Sequence, residues 1–279
     1  MAILMNGIAL RNRILNELNN YINKTGIKPK LTAILVGDDS ASKLYVHNKE
    51  KYARIAGIET DIIRMSSDVN TETVIRQIQK LNADKTVTAI LVQLPLPKHI
   101  DTNAVINAVD VSKDVDGFTD KNLGHMFGSG RDFIMPCTPR GILALLNEYK
   151  INIPGKKAVI IGRSNIVGKP MAQILMMHNA TVTICHSHTP DISQFTKSAD
   201  IVIAATGKIT ITGDMLKPGA VCIDVGMQRD ATGKLHGDMD FDSCSSVTGY
   251  ITPTPGGTGP MTIAGLMMNT VDLATKKLD

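Results

Sequence analysis

The stretch "AVIIGRSNIVGKP", residues 158–170, decides how the second half of this 279-residue chain folds. A short apolar run, Ala158-Val159-Ile160-Ile161, breaks at Gly162; after Gly168 and Pro170, the string "MAQILMMHN" has helical spacing. A strand feeding a glycine turn and then a helix cradles phosphate, because the helix N-terminus offers unpaired N–H groups. The dinucleotide fingerprint has glycine at its first, third and sixth positions. Here the third is Ser164, the sixth is Val167, and the next glycine comes only at the seventh. A cation, Arg163, stands at the tightest point of the turn.

The second strand of such a unit ends near the adenosine ribose, where an NAD site usually places an acid. In this chain that strand runs into "CHSHT", residues 185–189, which holds no acid; Ser187 lies between two histidines. A guanidinium pairs with phosphate in a planar, charge-assisted way. The loop therefore reads as an NADP site, with Gly162 making the turn and Arg163 and Ser187 on the 2′-phosphate. The bland alternative is an ordinary βα turn with a surface arginine.

Working outward, the second half continues as strand "ATVTICHS", helix "DISQFTKSAD", strand "IVIAAT" and strand "AVCIDVGM", a parallel α/β unit. The first half has βαβαβ order. "IALRNRILNELNNYINKTG" reads as a helix stopped by Gly26. "LTAILVGDD" reads as a buried strand, and a helix started by Ser40 or Ser42 closes at Gly57. "IETDIIRM", "NTETVIRQIQKLNAD" and "TAILVQLPLP" complete the unit. Residues 110–137 have weak periodicity and read as a long functional loop. "TPRGILALLNEYK" is a helix with Thr138 as cap, and "MTIAGLMMNTVDLATKKL" is a last helix. The fold class is α/β, in two domains with mostly parallel, helix-covered sheets. The boundaries put residues 1–138 with the last helix, 260–279, in one domain and 139–259 in a Rossmann-like second domain.

Composition agrees with an ordinary globule: 43% apolar, 20% charged, no tryptophan. A net charge of +4 is too small and dispersed to suggest nucleic acid. The four cysteines have no zinc-ligand spacing and read as reduced core thiols, so no metal is expected. No run is long enough to span a membrane, and the N-terminus lacks a basic lead and cleavage site, so a cytoplasmic protein is expected.

Three features of the first half invite chemistry. Tyr45 and Lys49 lie four apart and share a helix face. Gln93 ends an apolar strand, where open α/β sheets bind ligands. Asp114 and Asp116 lie in "KDVDGF". Singly, each has a plain reading: a surface pair, a loop-bonding amide and a turn.

Taken together and in order, "YVHNKEKYARIAGI", "VQLPLP", "KDVDGF", "PCTPRGI", "GRSNIVGKP", "CHSHT" and "TPTPGGTGPMT" resemble the bifunctional methylenetetrahydrofolate dehydrogenase/cyclohydrolases over almost the whole chain. The resemblance implies homodimers of two α/β domains with the active site in the cleft between them, and a last helix that returns to the N-terminal domain. It implies a folate substrate and NADP. Lys49 matches the central catalytic lysine and Tyr45 the tyrosine that stacks on the aminobenzoyl ring. Gln93 matches the glutamine that positions the lysine, and Asp116 the acid that grips the pterin. Gly162, Arg163 and Ser164 match the NADP loop, Ser187 the 2′-phosphate partner, and Met227 a residue lining the nicotinamide side. Pro255 and Gly256 match a rigid wall beside the folate. Thr254 and Thr258 stand where the family usually has Val, and Met227 where it has Ile. Two other readings are a different NADP oxidoreductase of two α/β domains, such as a shikimate-dehydrogenase-like enzyme, and a non-catalytic NADP(H) sensor. A sensor would have no use for a converging lysine, glutamine and aspartate.

Overall fold

In the computed structural model the described residues are 2–128, 131–208, 211–229, 233 and 235–275, without the side chains of residues 40 and 41. The chain divides into two compact units: Met1–Asn12 with Thr138–Thr262, and Arg13–Cys137 with Ile263–Asp279. No helix among the described residues is long and apolar enough to cross a membrane.

The chain opens with β1 (Ile3–Leu4) and α1 (Gly7–Thr25). The unit of residues 13–137 then follows the expected alternation: β2 (Lys30–Val36), α2 (Ser40–Ile55), β3 (Glu59–Met65), α3 (Thr71–Ala83), β4 (Ala89–Val92) and α4 (Thr102–Asn107). Its three strands form a parallel sheet in the order β3-β2-β4. The two-residue period of a strand sorts β2 and β4 between two cores. Leu31, Ala33, Ala89 and Leu91 pack with Leu15 and Ile22 of α1, Ala53 of α2, and Leu266, Met267 and Val271 from the end of the chain. Ile34, Val36, Ile90 and Val92 pack with Val74, Ile78 and Leu81 of α3 and Val105 of α4. Both faces are covered, which is why these strands read as continuous apolar runs.

Local details depart from the sequence reading. The cap of α2 is Asp39, whose Oδ2 accepts from the Ser42 N–H at 2.7 Å, rather than Ser40 or Ser42. Within the loop expected over 110–137 lies a helix, α5 (Asp120–Phe127), capped by Thr119. The next helix, α6 (Cys137–Glu148), takes Thr138 inside its first turn; the Thr138 hydroxyl pairs with that of Thr262 at 2.9 Å.

The other unit contains β5 (Lys157–Ile161), α7 (Gly168–Met177), β6 (Thr181–Cys185), a single turn α8 (Ser193–Thr196), β7 (Ile201–Ala204), β8 (Val221–Asp224), the hairpin strands β9 (Gln228–Arg229) and β10 (Leu235–His236), α9 (Phe241–Val247) and β11 (Tyr250–Ile251). The last helix, α10 (Thr258–Thr275), begins here. The sheet order is β1-β11-β8-β7-β5-β6, parallel throughout. The sequence reading put residues 1–12 in the first domain. They belong instead to this unit, because β1 pairs with β11, Ile3 opposite Tyr250 and Leu4 opposite Ile251. Two-residue strands carry no readable period, so neither was anticipated.

Candidate active site

In the unit of residues 13–137 and 263–279, α2 carries Tyr45, which is exposed, and Lys49, which is half-buried. Lys49 donates from Nζ to Gln93 Oε1 at 2.9 Å. Gln93 is the first residue beyond β4; its backbone N–H extends the pairing to Ile34, and its side chain is buried. Its Nε2 donates to the Leu94 carbonyl at 2.6 Å, which turns the amide oxygen toward the lysine. A neutral acceptor thus holds an ammonium without neutralising it.

The two acids of "KDVDGF" separate into different tasks. Asp114 is buried and builds the loop: Oδ1 accepts from Gly117 and Phe118 N–H at 2.9 and 3.3 Å, and Oδ2 from Thr119 N–H at 2.8 Å. Burial raises its pKa against the pull of those amides. Asp116 has no such amides. Burial pushes its carboxyl up to about 6, against the Lys49 cation that pulls it down, with Asp114 adding a further push upward. The Cys137 thiol donates to Asp116 Oδ1 at 3.5 Å. Lys49, Gln93 and Asp116 are therefore brought together, and Asp114 is the scaffold beneath them.

Two buried amides that the sequence reading missed hold this loop. Asn122 donates to the Gly117 and Ile134 carbonyls at 2.9 and 2.8 Å. Asn269 of α10 donates to the Val115 and Met135 carbonyls at 2.7 and 2.9 Å. A lone Asn in the apolar string "GLMMNTV" is the signal that could have found the second.

In the other unit, Gly162 ends β5 with φ +119°, a conformation that disfavours side chains, and a Cβ there would collide with the Ala205 carbonyl. A Cβ on Gly168 would collide with the Gly162 carbonyl, so the turn closes tightly onto the start of α7. The Ser164 hydroxyl accepts from Val167 and Gly168 N–H at 3.2 and 3.3 Å, so this serine shapes the turn, and Arg163 beside it is exposed. β6 lies in register against β5, Ile161 opposite Cys185, so the "CHSHT" turn with exposed Ser187 leaves the same sheet edge as the glycine turn. No acid lies in it.

Met227, exposed, follows β8. Pro255 follows a cis peptide bond, and the Gly256 carbonyl accepts from Gly7 and Ile8 N–H at 2.9 and 3.2 Å, tying this turn to the start of α1. The Thr258 hydroxyl donates to the Asp224 carbonyl at 2.7 Å, a bond that the Val expected there from the resemblance could not make. A crevice of about 330 Å³ opens at the opposite, N-terminal end of this sheet, lined by Lys150, Lys156, Asp200, Lys217 and Tyr250; it contains none of the residues singled out from the sequence.

The family model for the catalytic domain of tetrahydrofolate dehydrogenase/cyclohydrolase matches residues 5–116, and that for the family's NAD(P)-binding domain matches residues 136–278. The bifunctional protein FolD of Streptococcus pyogenes is 50% identical over 281 residues, 99% of each chain. Among solved structures, the FolD methylenetetrahydrofolate dehydrogenase/cyclohydrolase of Campylobacter jejuni superposes with a TM-score of 0.95 at 42% identity, covering 99% of this chain and 100% of that one. The Trypanosoma brucei enzyme, solved with NADP and an inhibitor, gives 0.93 at 34% identity over 99% and 98%. With both domain models and a half-identical relative matched end to end, the chain belongs to the tetrahydrofolate dehydrogenase/cyclohydrolase family.

Proposed function

We propose that Lys49, held by Gln93, moves the protons of a hydrolytic step, and that Asp116 anchors the substrate for both of the chain's reactions. Those reactions are the oxidation of 5,10-methylenetetrahydrofolate to 5,10-methenyltetrahydrofolate with NADP, and hydrolysis of that product to 10-formyltetrahydrofolate. The other oxidoreductase and the sensor have no support beside this family assignment.

The pterin edge presents adjacent N–H donors, and an ionised Asp116 offers two oxygens to accept them. Tyr45 would lie against the aminobenzoyl ring, and Pro255 with Gly256 would form a stiff wall beside the folate. NADP, when bound, would supply the acceptor for the hydride of the bridging carbon. The residues present suit it: a turn closed by Gly162 where a side chain would clash, and Arg163 and Ser187 exposed on adjacent loops with no competing acid. Ser164 would shape that turn and Met227 would line the nicotinamide side.

Loss of hydride leaves a methenyl cation. Water adds to its carbon, one C–N bond breaks, and one proton is released overall. As its neutral amine Lys49 can take a proton from the attacking water, and the ammonium so formed can return one to the departing nitrogen. The observation that carries this reading is the 2.9 Å Lys49–Gln93 bond beside Asp116. The test is purified protein with methylenetetrahydrofolate and NADP, reading reduced cofactor and methenyl product separately. Cofactor reduction with transient methenyl product is expected, and no NADP reduction would overturn the reading. A homodimer, a cytoplasmic location and no nucleic-acid partner complete the proposal; sedimentation reads the first.

A further inference from the structure

Beyond β7 and β8, at the carboxyl end of the six-stranded sheet, lie two buried carboxylates to which no role has been given. Asp238 is fully buried and Asp224 nearly so. Asp224 closes β8, opposite Ala204 at the end of β7. Its Oδ1 accepts from Gly226 and Asp238 N–H at 2.9 and 2.8 Å, and its Oδ2 from Met239 N–H at 3.0 Å. Asp238 Oδ2 accepts from the N–H groups of Thr206 and of Gly207, the latter at 3.1 Å, and its Oδ1 from Gln228 Nε2 at 3.2 Å. Both carboxylates press on backbone with no room between. A Cβ on Gly226 would strike Asp238, and one on Gly237 would strike Asp224.

Burying two acids side by side is costly unless their oxygens are satisfied, and here backbone amides, with the Gln228 side chain, do that. Those amides belong to the turn after β7, the turn after β8 and the strand-like return at 238–239. The carboxyl ends of parallel strands are where open α/β sheets take ligands. Met227 stands between the two ties: Asp224 holds the residue before it through Gly226 N–H, and Asp238 holds the residue after it through the Gln228 side chain.

We propose that Asp238 is a positioning residue for hydride transfer: with Asp224 it locks the turns after β7 and β8 together and so fixes where Met227 stands against the nicotinamide. This rests on Met227 lining the nicotinamide side, as assigned above. Hydride transfer depends steeply on distance and angle, and a misplacement of about 1 Å costs on the order of a hundredfold in rate. Hydrolysis of the methenyl bridge uses no nicotinamide, so the second activity is a built-in control on the same protein.

The test is Asp238→Asn, which keeps the shape but replaces one acceptor by a donor amide facing donors. Gln228→Leu cuts the outer tie and leaves both buried acids in place. Dehydrogenase kcat is expected to fall between about tenfold and a hundredfold for Asp238→Asn. A smaller loss of the same kind is expected for Gln228→Leu. Hydrolysis of supplied methenyltetrahydrofolate without nucleotide should stay within about twofold of wild type, and KM for NADP should move less than kcat. If Asp238→Asn does not fold, Gln228→Leu decides alone. Equal loss of both activities, or an unchanged dehydrogenase kcat in Gln228→Leu, overturns the proposal. A wild-type protein that reduces no NADP would instead sink the dehydrogenase reading, and it is measured first.

Discussion

Lys49 Nζ and Gln93 Oε1 lie 2.9 Å apart, and the partner that holds the cation is an amide, not a carboxylate. An amide orients the ammonium with a dipole; a carboxylate would stabilise its charged form outright. Gln93→Glu places that carboxylate beside Lys49 and sets an acceptor against the Leu94 carbonyl. Hydrolysis of methenyltetrahydrofolate should fall by about 10²-fold or more, the lower range of acid–base contributions. NADP affinity, read by cofactor titration, should not move. A Glu variant that hydrolyses at the wild-type rate would show that the neutrality of the partner is irrelevant.

Asp116 gives a pH dependence whose sign follows from its raised pKa of about 6. Above that pH the carboxyl is ionised and can accept both pterin donors; below it one oxygen carries a proton. KM for methylenetetrahydrofolate should therefore rise as pH falls below about 6, approaching tenfold per unit for a single proton. Stability runs the other way. A carboxyl whose folded pKa is raised favours the fold below its unfolded value, and that contribution is lost as pH rises through about 6. The ligand-free protein is thus less stabilised by this group at neutral pH, where binding is best. Asp116→Asn should abolish the acid limb of the KM profile, whatever its absolute affinity. A wild-type KM that is flat from about pH 5 to pH 7 would remove Asp116 as the anchor.

Asn269 supplies donors to two buried carbonyls on either side of the Asp116 loop. Asn269→Leu fills the space, takes the amide donor from the Met135 carbonyl and leaves the Val115 carbonyl only the weak Cys137 thiol at 3.4 Å, at about 1–3 kcal/mol for each under-satisfied group. A loss of roughly 2–4 kcal/mol is expected as a lower denaturant midpoint at unchanged slope. A change under about 0.5 kcal/mol would mean that these carbonyls find other donors.

What the sequence made legible was what has a period or a motif. β2 and β4 are buried on both faces, so they read as apolar runs, and Gly26 and Gly57 end their helices with positive φ as their positions suggested. Lys49, Gln93 and Asp116 could be placed on a helix face, a strand end and a turn because that geometry is local, but only the resemblance grouped them. The missed features are long-range. β1 is two residues whose only reason to be extended is β11, almost 250 positions away. Which of Asp114 and Asp116 faces the amides of 117–119 is not written in "DVDG"; the resemblance set Asp116 apart without giving Asp114 its role in the loop. Asp238 was invisible because its partners come from two distant places in the chain, Thr206 with Gly207 and Gln228.

Arg163 is exposed on the turn after β5. Arg163→Ala should weaken NADP by about 1.5–3 kcal/mol, the scale of a hydrogen bond to a charged group, and leave NAD nearly untouched. Because the side chain is exposed, the difference should shrink in high salt. Equal losses for the two cofactors would detach Arg163 from the 2′-phosphate.

The two reactions separate at Lys49. Hydride leaves the bridging carbon with both electrons and needs no side-chain base, whereas addition of water and opening of the C–N bond require protons to move. Lys49→Arg keeps a cation of similar reach that still can donate to Gln93, but a guanidinium does not give up its proton in a protein. Hydrolysis should fall by about 10²-fold or more. Oxidation should survive in part, since the charge near Asp116 and the bond to Gln93 have replacements. Lys49→Met removes the charge as well; it leaves Gln93 Oε1 without its ammonium and takes away the cation that lowers the Asp116 pKa, so substrate binding and both activities should fall. The decisive reading is the product left by the Arg variant when it is given methylenetetrahydrofolate and NADP. It should release methenyltetrahydrofolate that accumulates beyond its slow uncatalysed hydrolysis. An Arg variant that forms 10-formyltetrahydrofolate as fast as the wild type would assign the proton transfers to another group.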